Sequence, residues 1–249
     1  MEKIGPGQIG PFPARGRAYI WYMIRVVPLL LAVAYAVLML RFSVWQTKRT
    51  LDAQSKPLTD PDLKALTRQM ASALEVPEIE VSVYQIDAVN GLAAPDGRIF
   101  LTQGFLARKA AGEVSDHELA SVIAHELGHV ALGHSRRRMV DFTGQNAVFV
   151  LLSALLNRFL PIVGVWLARI ISTALMARLS RRDEFEADAW ATALLIKSGI
   201  GTAPQKSLFR KLEGLTGPKA QGVPAWLLSH PHTAERIAAI EANEARWGV

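Results

Sequence analysis

Residues 125–129 read His125-Glu126-Leu127-Gly128-His129, an H-E-x-x-H pair inside an apolar, helix-patterned run. At about 3.6 residues per turn, histidines four apart leave a helix from nearly the same side and can share one ion. The surrounding residues support the helix. Ser115 and Glu118 form a capping-box pattern, and Leu119, Val122, Ile123, Leu127, Val130 and Ala131 recur at helical spacing. Glu126 stands about 100° round from His125, badly placed for a tetrahedral shell but well placed to take a proton from water at the ion. With 6 His in 249 residues, the pattern arises by chance in on the order of one such chain in a hundred. A metal site used for hydrolysis is the better reading.

Composition narrows the donors and the setting. The chain has no Cys, which excludes disulfides, thiolate-bound zinc and thiol nucleophiles, so a transition-metal site must use His and carboxylates. A net charge of +6 and a pI near 9.8 raise nucleic acid as a partner, but the basic residues are scattered and match no binding motif. We expect no nucleic-acid partner; a basic membrane-surface protein fits better. The 50% hydrophobic content and mean hydropathy of +0.18 point to a membrane segment joined to a domain of ordinary size.

That segment is 19–40, whose only charge is Arg25, near one end. About 20 apolar residues cross a bilayer. Trp21, Tyr22 and Trp45 are positioned as interfacial anchors, and Met39-Leu40-Arg41 offers no small-residue cleavage site. The expected organisation is a tail over 1–18, a retained anchor over 19–45 and a domain over 59–246. Lys3, Arg15, Arg17 and Arg25 on one side balance Arg41, Lys48, Arg49 and Lys56 on the other, so charge assigns no orientation. A second apolar region, a helical pair within 140–178, is interrupted by Asn157, Arg158, Pro161 and Arg169. It reads as a true span, as helices dipping into the membrane, or as a hairpin packed on the domain.

Within the domain, Thr59-Asp60-Pro61 predicts a helix start near 60, continuing to about 75. Residues 78–86 alternate as a strand, with Ile79, Val81 and Val83 inward. Residues 90–94 and 98–102 flank a turn at 95–97 and predict a hairpin. A short helix follows Gln103. The His-bearing helix and the apolar pair come next, then a helix opening near Asp183 and closing at Gly199–Gly201, and helices over 204–214 and 233–246. The fold class is α+β, mainly helical, with a small sheet.

Two histidines leave a catalytic zinc one protein ligand short. His134 lies five residues after His129, about 140° round, and points away unless the helix breaks. A glycine-spaced third histidine is also absent, since Leu132 and Ser135 occupy the required positions. Downstream, Ser180-Arg181-Arg182-Asp183-Glu184-Phe185-Glu186-Ala187-Asp188 places Glu184 and Asp188 four apart on one helical face. They can serve as ligand and supporting carboxylate, with Asp188 accepting a histidine ring N–H, or as ordinary acidic residues of a solvated helix start. The residues alone leave both open.

HELGHVALGHS, SRRDEFEADAWA, LSHPHTAERI and NGLAAPDGRIFLTQGFL together resemble the HtpX-type integral-membrane zinc metallopeptidases, relatives of the CAAX prenyl protease, over about 59–240 and in the same order. The resemblance implies a zincin-like domain holding one Zn2+ per chain on His125, His129 and Glu184, with Glu126 as base. It implies that His230 and Arg236 lie near the active site, where either could stabilise an oxyanion or gate access. It implies too that Asn90, Gly91, Leu92, Ala93 and Ala94 form an edge strand pairing with an extended substrate. The function so implied is endoproteolysis of unfolded or membrane polypeptides in quality control or stress response, in a bacterial cell membrane. Oligomeric state carries no sequence signal. Two departures separate this chain from the pattern: one clear span precedes the domain where two are usual, and only 184 − 129 = 55 positions separate His129 from Glu184. The rival reading is a membrane-bound chaperone-like or binding protein whose zinc is structural, with His134 or Asp188 as fourth ligand and no turnover.

Overall fold

A computed structural model describes residues 14–94, 96–134, 149–150, 152–153, 155–161, 163–214 and 233–248. The chain divides into two compact units, Met1–Gln46 and Thr47–Val249. Helix α1, Ala14–Gln54, supplies all the described residues of the first unit and the first turns of the second. In the first unit it carries Leu30, Leu31, Tyr35, Leu38 and Phe42 exposed.

The second unit is built on a four-stranded sheet of β1 (Ser55–Pro57), β2 (Val81–Tyr84), β3 (Gly91–Ala93) and β4 (Ile99–Thr102), in the order β1-β2-β4-β3. β2 and β4 run parallel with Val81 opposite Ile99, and the two outer pairings are antiparallel. β4 is buried along its whole length. Its period-2 alternation sends Ile99 and Leu101 into the main core and Phe100 against Leu51 and Ala94 on the other face. β3 is therefore the edge on the side of β4, fixed by Gly91 opposite Leu101.

Helices α2 (Pro61–Leu74), α3 (Gln103–Ala110), α4 (Asp116–Ala131), α5 (Val163–Lys197), α6 (Ala203–Gly214) and α7 (Thr233–Trp247) complete the unit. α2 begins where the sequence signals it, with the Asp60 carboxylate accepting from the Leu63 N–H and Pro61 in the first turn. The core joins α2 (Leu63, Met70), α4 (Leu119, Ile123), α5 (Leu195), α6 (Leu208, Phe209) and α7 (Ile240) to the sheet. Each such fully buried side chain contributes about 1.5–3 kcal/mol by leaving water.

Three expectations change. β1 was not foreseen; three residues ending in Pro57 carry too little pattern. The strand expected over 78–86 is shorter, Val81–Tyr84. No helix opens near Asp183: α5 runs unbroken from Val163 to Lys197, because no proline or glycine interrupts it between Gly164 and Gly199. The second member of the apolar pair and the acidic motif are thus one helix. Among the described residues, α5 is the one helix long and apolar enough to cross a membrane by length and composition. The first member of the expected apolar pair lies partly outside the described residues.

Candidate metal centre

α4 begins with a complete capping box: the Ser115 hydroxyl accepts from the Glu118 N–H, and the Glu118 carboxylate accepts from the Ser115 N–H. Glu118 also accepts from Ser207 and Lys211 of α6, so the start of the helix is fixed from two sides. About three turns later α4 crosses α5 at very short range. A Cβ placed on Gly128 would stand 2.8 Å from the Ala187 carbonyl oxygen, so only glycine allows this approach. The approach brings the side chains flanking Gly128 on one helix against those flanking Ala187 on the other.

The result is a buried cluster of His125, His129 and Glu184, all at most 3% exposed. The two Nε2 atoms lie 3.1 Å apart, and they lie 3.3 and 3.5 Å from the Glu184 carboxylate oxygens. Ligands at 2.0–2.2 Å from a tetrahedral ion stand about 3.4 Å from one another, so these donors fit one zinc-sized cation. Glu184 is not part of a solvated helix start; it lies inside α5 and out of water.

The outer nitrogens of the two imidazoles are also engaged. His125 Nδ1 lies 2.9 Å from Asp188 Oδ1. Arg236 of α7 donates to both oxygens of Asp188, Nε at 2.5 Å and Nη2 at 2.7 Å, and its Nη1 lies 3.5 Å from Glu184. The guanidinium is fully buried and lies 4.4 Å over the Phe209 ring. Burial raises the Asp188 carboxyl, but the Arg236 charge and hydrogen bonds outweigh it and hold the group below its usual range. Arg236, expected near the active site, does lie beside the cluster, with N–H groups aimed at Asp188 and Glu184.

His134 departs furthest from its expected position. α4 ends at Ala131, and Gly133 turns the chain at φ +71, which places His134 back against the helix with no exposed surface. Its Nδ1 lies 3.0 Å from His129 Nδ1, on the side away from Glu184. Gly133 was the available signal. His117 is exposed in the first turn of α4, and His230 and His232 lie outside the described residues.

Burial lowers the His125 pKa, but Asp188 and Glu184 more than reverse this and raise it to about 9 in the metal-free chain. A raised folded-state value stabilises fully below the unfolded value near 6.5 and loses that contribution as pH climbs through about 9. The metal-free chain is therefore expected to melt progressively lower between pH 6.5 and 9. Apparent metal affinity should rise over the same window, because the ion competes with that proton. Thermal melts and chelator competition at three pH values check both slopes; a metal-free melting point that climbs over this window contradicts the assignment.

Beside this cluster runs β3. A Cβ on Gly91 would stand 2.6 Å from Val122 Cγ1 and 3.5 Å from Glu126 Oε1, so the edge strand passes alongside the proposed base. Asn90 is tied to Thr102 by two hydrogen bonds of 2.9 Å, Gly91 and Ala94 are buried, and Leu92 and Ala93 are half-buried.

A buried His/His/carboxylate set on two crossing helices, with a glutamate next to the first histidine, defines a metallopeptidase type of site. Residues 57–244 match the pattern described as Peptidase family M48, and the chain belongs to that family. It is 27% identical over 187 residues to Metalloprotease LoiP of Escherichia coli K12, covering 75% of this chain and 71% of that one. It is 30% identical over 174 residues to Metalloprotease YcaL of the same organism, covering 70% and 65%. A Protease HtpX homolog of Gemmatimonas aurantiaca is 25% identical over 254 residues, covering 88% and 89%. The resemblance drawn from the four motifs therefore holds at the level of the family, and the chain is a metalloprotease.

Proposed function

We propose that this chain is a membrane-anchored zinc metalloendopeptidase with His125, His129 and Glu184 as ligands and Glu126 as the general base. The observation that carries the reading is the convergence of three buried donors 3.1–3.5 Å apart on one ion-sized point. Bound zinc supplies Lewis acidity, polarising the scissile carbonyl and drawing the pKa of an attacking water towards about 7. Glu126 takes the proton from that water and passes it to the departing amine. Asp188, held by Arg236, keeps the His125 ring turned so that Nε2 faces the ion. An extended polypeptide adds to the sheet along Asn90, Gly91, Leu92, Ala93 and Ala94, pairing main chain to main chain next to Glu126. The family resemblance assigns His230 as a donor to the oxyanion.

The membrane part of the proposal rests on an inside-out pattern. On α5 the small residues Gly164, Ala168 and Ser172 are buried, while Val163, Trp166, Ile170 and Leu175 are exposed. Such a surface suits lipid better than water. In the first unit, α1 likewise exposes large apolar residues over the expected anchor. Substrates are unfolded or membrane polypeptides, because pairing along a strand edge requires an extended chain.

A structural-zinc chaperone needs a fourth protein ligand, and both candidates face elsewhere: Asp188 and His134 meet the outer nitrogens of the histidines. The test is metal removal. Stripping the full chain with a chelator should lower cleavage of an unfolded polypeptide by more than about 100-fold, and one equivalent of zinc should restore it. Zinc-loaded chain that binds the polypeptide without cutting it would favour the chaperone reading instead.

A further inference from the structure

The geometry points to His134 as the positioning residue for His129, fixing its ring and tautomer through a directed chain of hydrogen bonds that ends on Glu186. This rests on the ligand assignment above and extends it. If His129 gives its Nε2 lone pair to the ion, its single N–H must sit on Nδ1. That nitrogen lies 3.0 Å from His134 Nδ1, which must then accept. A neutral His134 accepting at Nδ1 carries its own proton on Nε2, and Nε2 faces Glu186 Oε2 at 3.3 Å and Asp183 Oδ1 at 3.6 Å. Glu186 is oriented in turn by Arg182, whose Nε donates to Oε1 at 2.7 Å. Every proton in the row thus has one place. The two histidine ligands are held differently, His125 by a carboxylate locked to a buried arginine and His129 by a second imidazole backed by a half-exposed carboxylate.

The same count decides against a second metal. His134, Asp183 and Glu186 lie close enough to hold an ion among them. His134 could ligate it only through Nε2, which would move its proton to Nδ1 and set two N–H groups face to face at 3.0 Å. With the first ion in place, the second site is closed to a neutral His134.

The test compares His134→Asn, whose side-chain oxygen can replace Nδ1 as acceptor, with His134→Phe, which keeps a ring and offers no acceptor. In the full-length chain, zinc dissociation constants come from chelator competition, kcat and KM from cleavage of an unfolded polypeptide, and melting points from the metal-free protein. His134→Phe should weaken zinc about 10–100-fold and lower kcat with KM little changed, while His134→Asn retains most of both. Because a buried phenylalanine can disturb folding, the isosteric double variant Asp183→Asn, Glu186→Gln provides a second reading, expected to weaken zinc about 3–10-fold. Equal zinc affinity in wild type and His134→Phe overturns the proposal. So does His134→Asn as weak as His134→Phe at equal melting points, or a second zinc in the wild type lost with His134→Phe. Failure of the underlying assignment looks different: His125→Ala and His129→Ala would then bind zinc as tightly as wild type.

Discussion

Glu126→Gln is expected to bind zinc within about threefold of wild type and to lose about 10²–10⁴ in kcat, the range a general base contributes. The substitution keeps shape and volume, so the 2%-exposed site next to Gly91 has no reason to repack. It removes the ability to accept a proton, together with a negative charge that Arg236 feels, because an amide oxygen at neutral pH does not take a proton from water. Strand-edge binding of an extended polypeptide should be unaffected, so KM stays near its wild-type value while kcat collapses. Cleavage by this variant within tenfold of wild type would remove Glu126 from the reaction and point to another base.

The second large effect concerns stability. Arg236 is fully buried between Asp188 and Glu184, and Arg236→Met keeps an apolar stem over Phe209 while deleting the charge. Breaking a buried pair from one side costs about 3–5 kcal/mol, because the partner charge stays behind out of water. Against a total of about 5–15 kcal/mol for a folded domain, this is enough to unfold much of the metal-free population. Asp188 should also lose its depressed pKa, since burial then acts without the opposing arginine. Added zinc should recover part of the loss, because a cation at Glu184 offsets some of the buried negative charge that Arg236 balanced. A metal-free Arg236→Met chain melting within about 2 °C of wild type would show that the cluster does not depend on this arginine.

Several parts of this arrangement were legible in the sequence because they are local. Asp60 before Pro61, and Ser115 with Glu118, announce helix starts by side chains that reach only three residues. The His125/His129 spacing announces a shared face in the same way. The misreadings came where distant contacts or a missed terminator decided the outcome. Asp183 imitates a helix start, yet α5 continues through it, with Glu184 and Asp188 buried against His125, His129 and Arg236. His134 points away only on a continuous helix, and Gly133 ends that helix before it. The parallel pairing of β2 with β4, and the three-residue β1, depend on tertiary register that no short window contains. Gly128 carried a signal of another kind: a glycine inside a helix costs about 1 kcal/mol relative to alanine, and here the contact with Ala187 offsets it.

The central claim is that His125, His129 and Glu184 hold one zinc with room for a water. An anomalous-scattering crystal structure of the zinc-loaded full chain tests it directly. The expected result is a single strong peak about 2.0–2.2 Å from both Nε2 atoms and a Glu184 carboxylate oxygen, with a solvent oxygen completing the tetrahedron. A zinc peak elsewhere, or one bound to the two histidines with Glu184 turned away and another protein atom in its place, would contradict it.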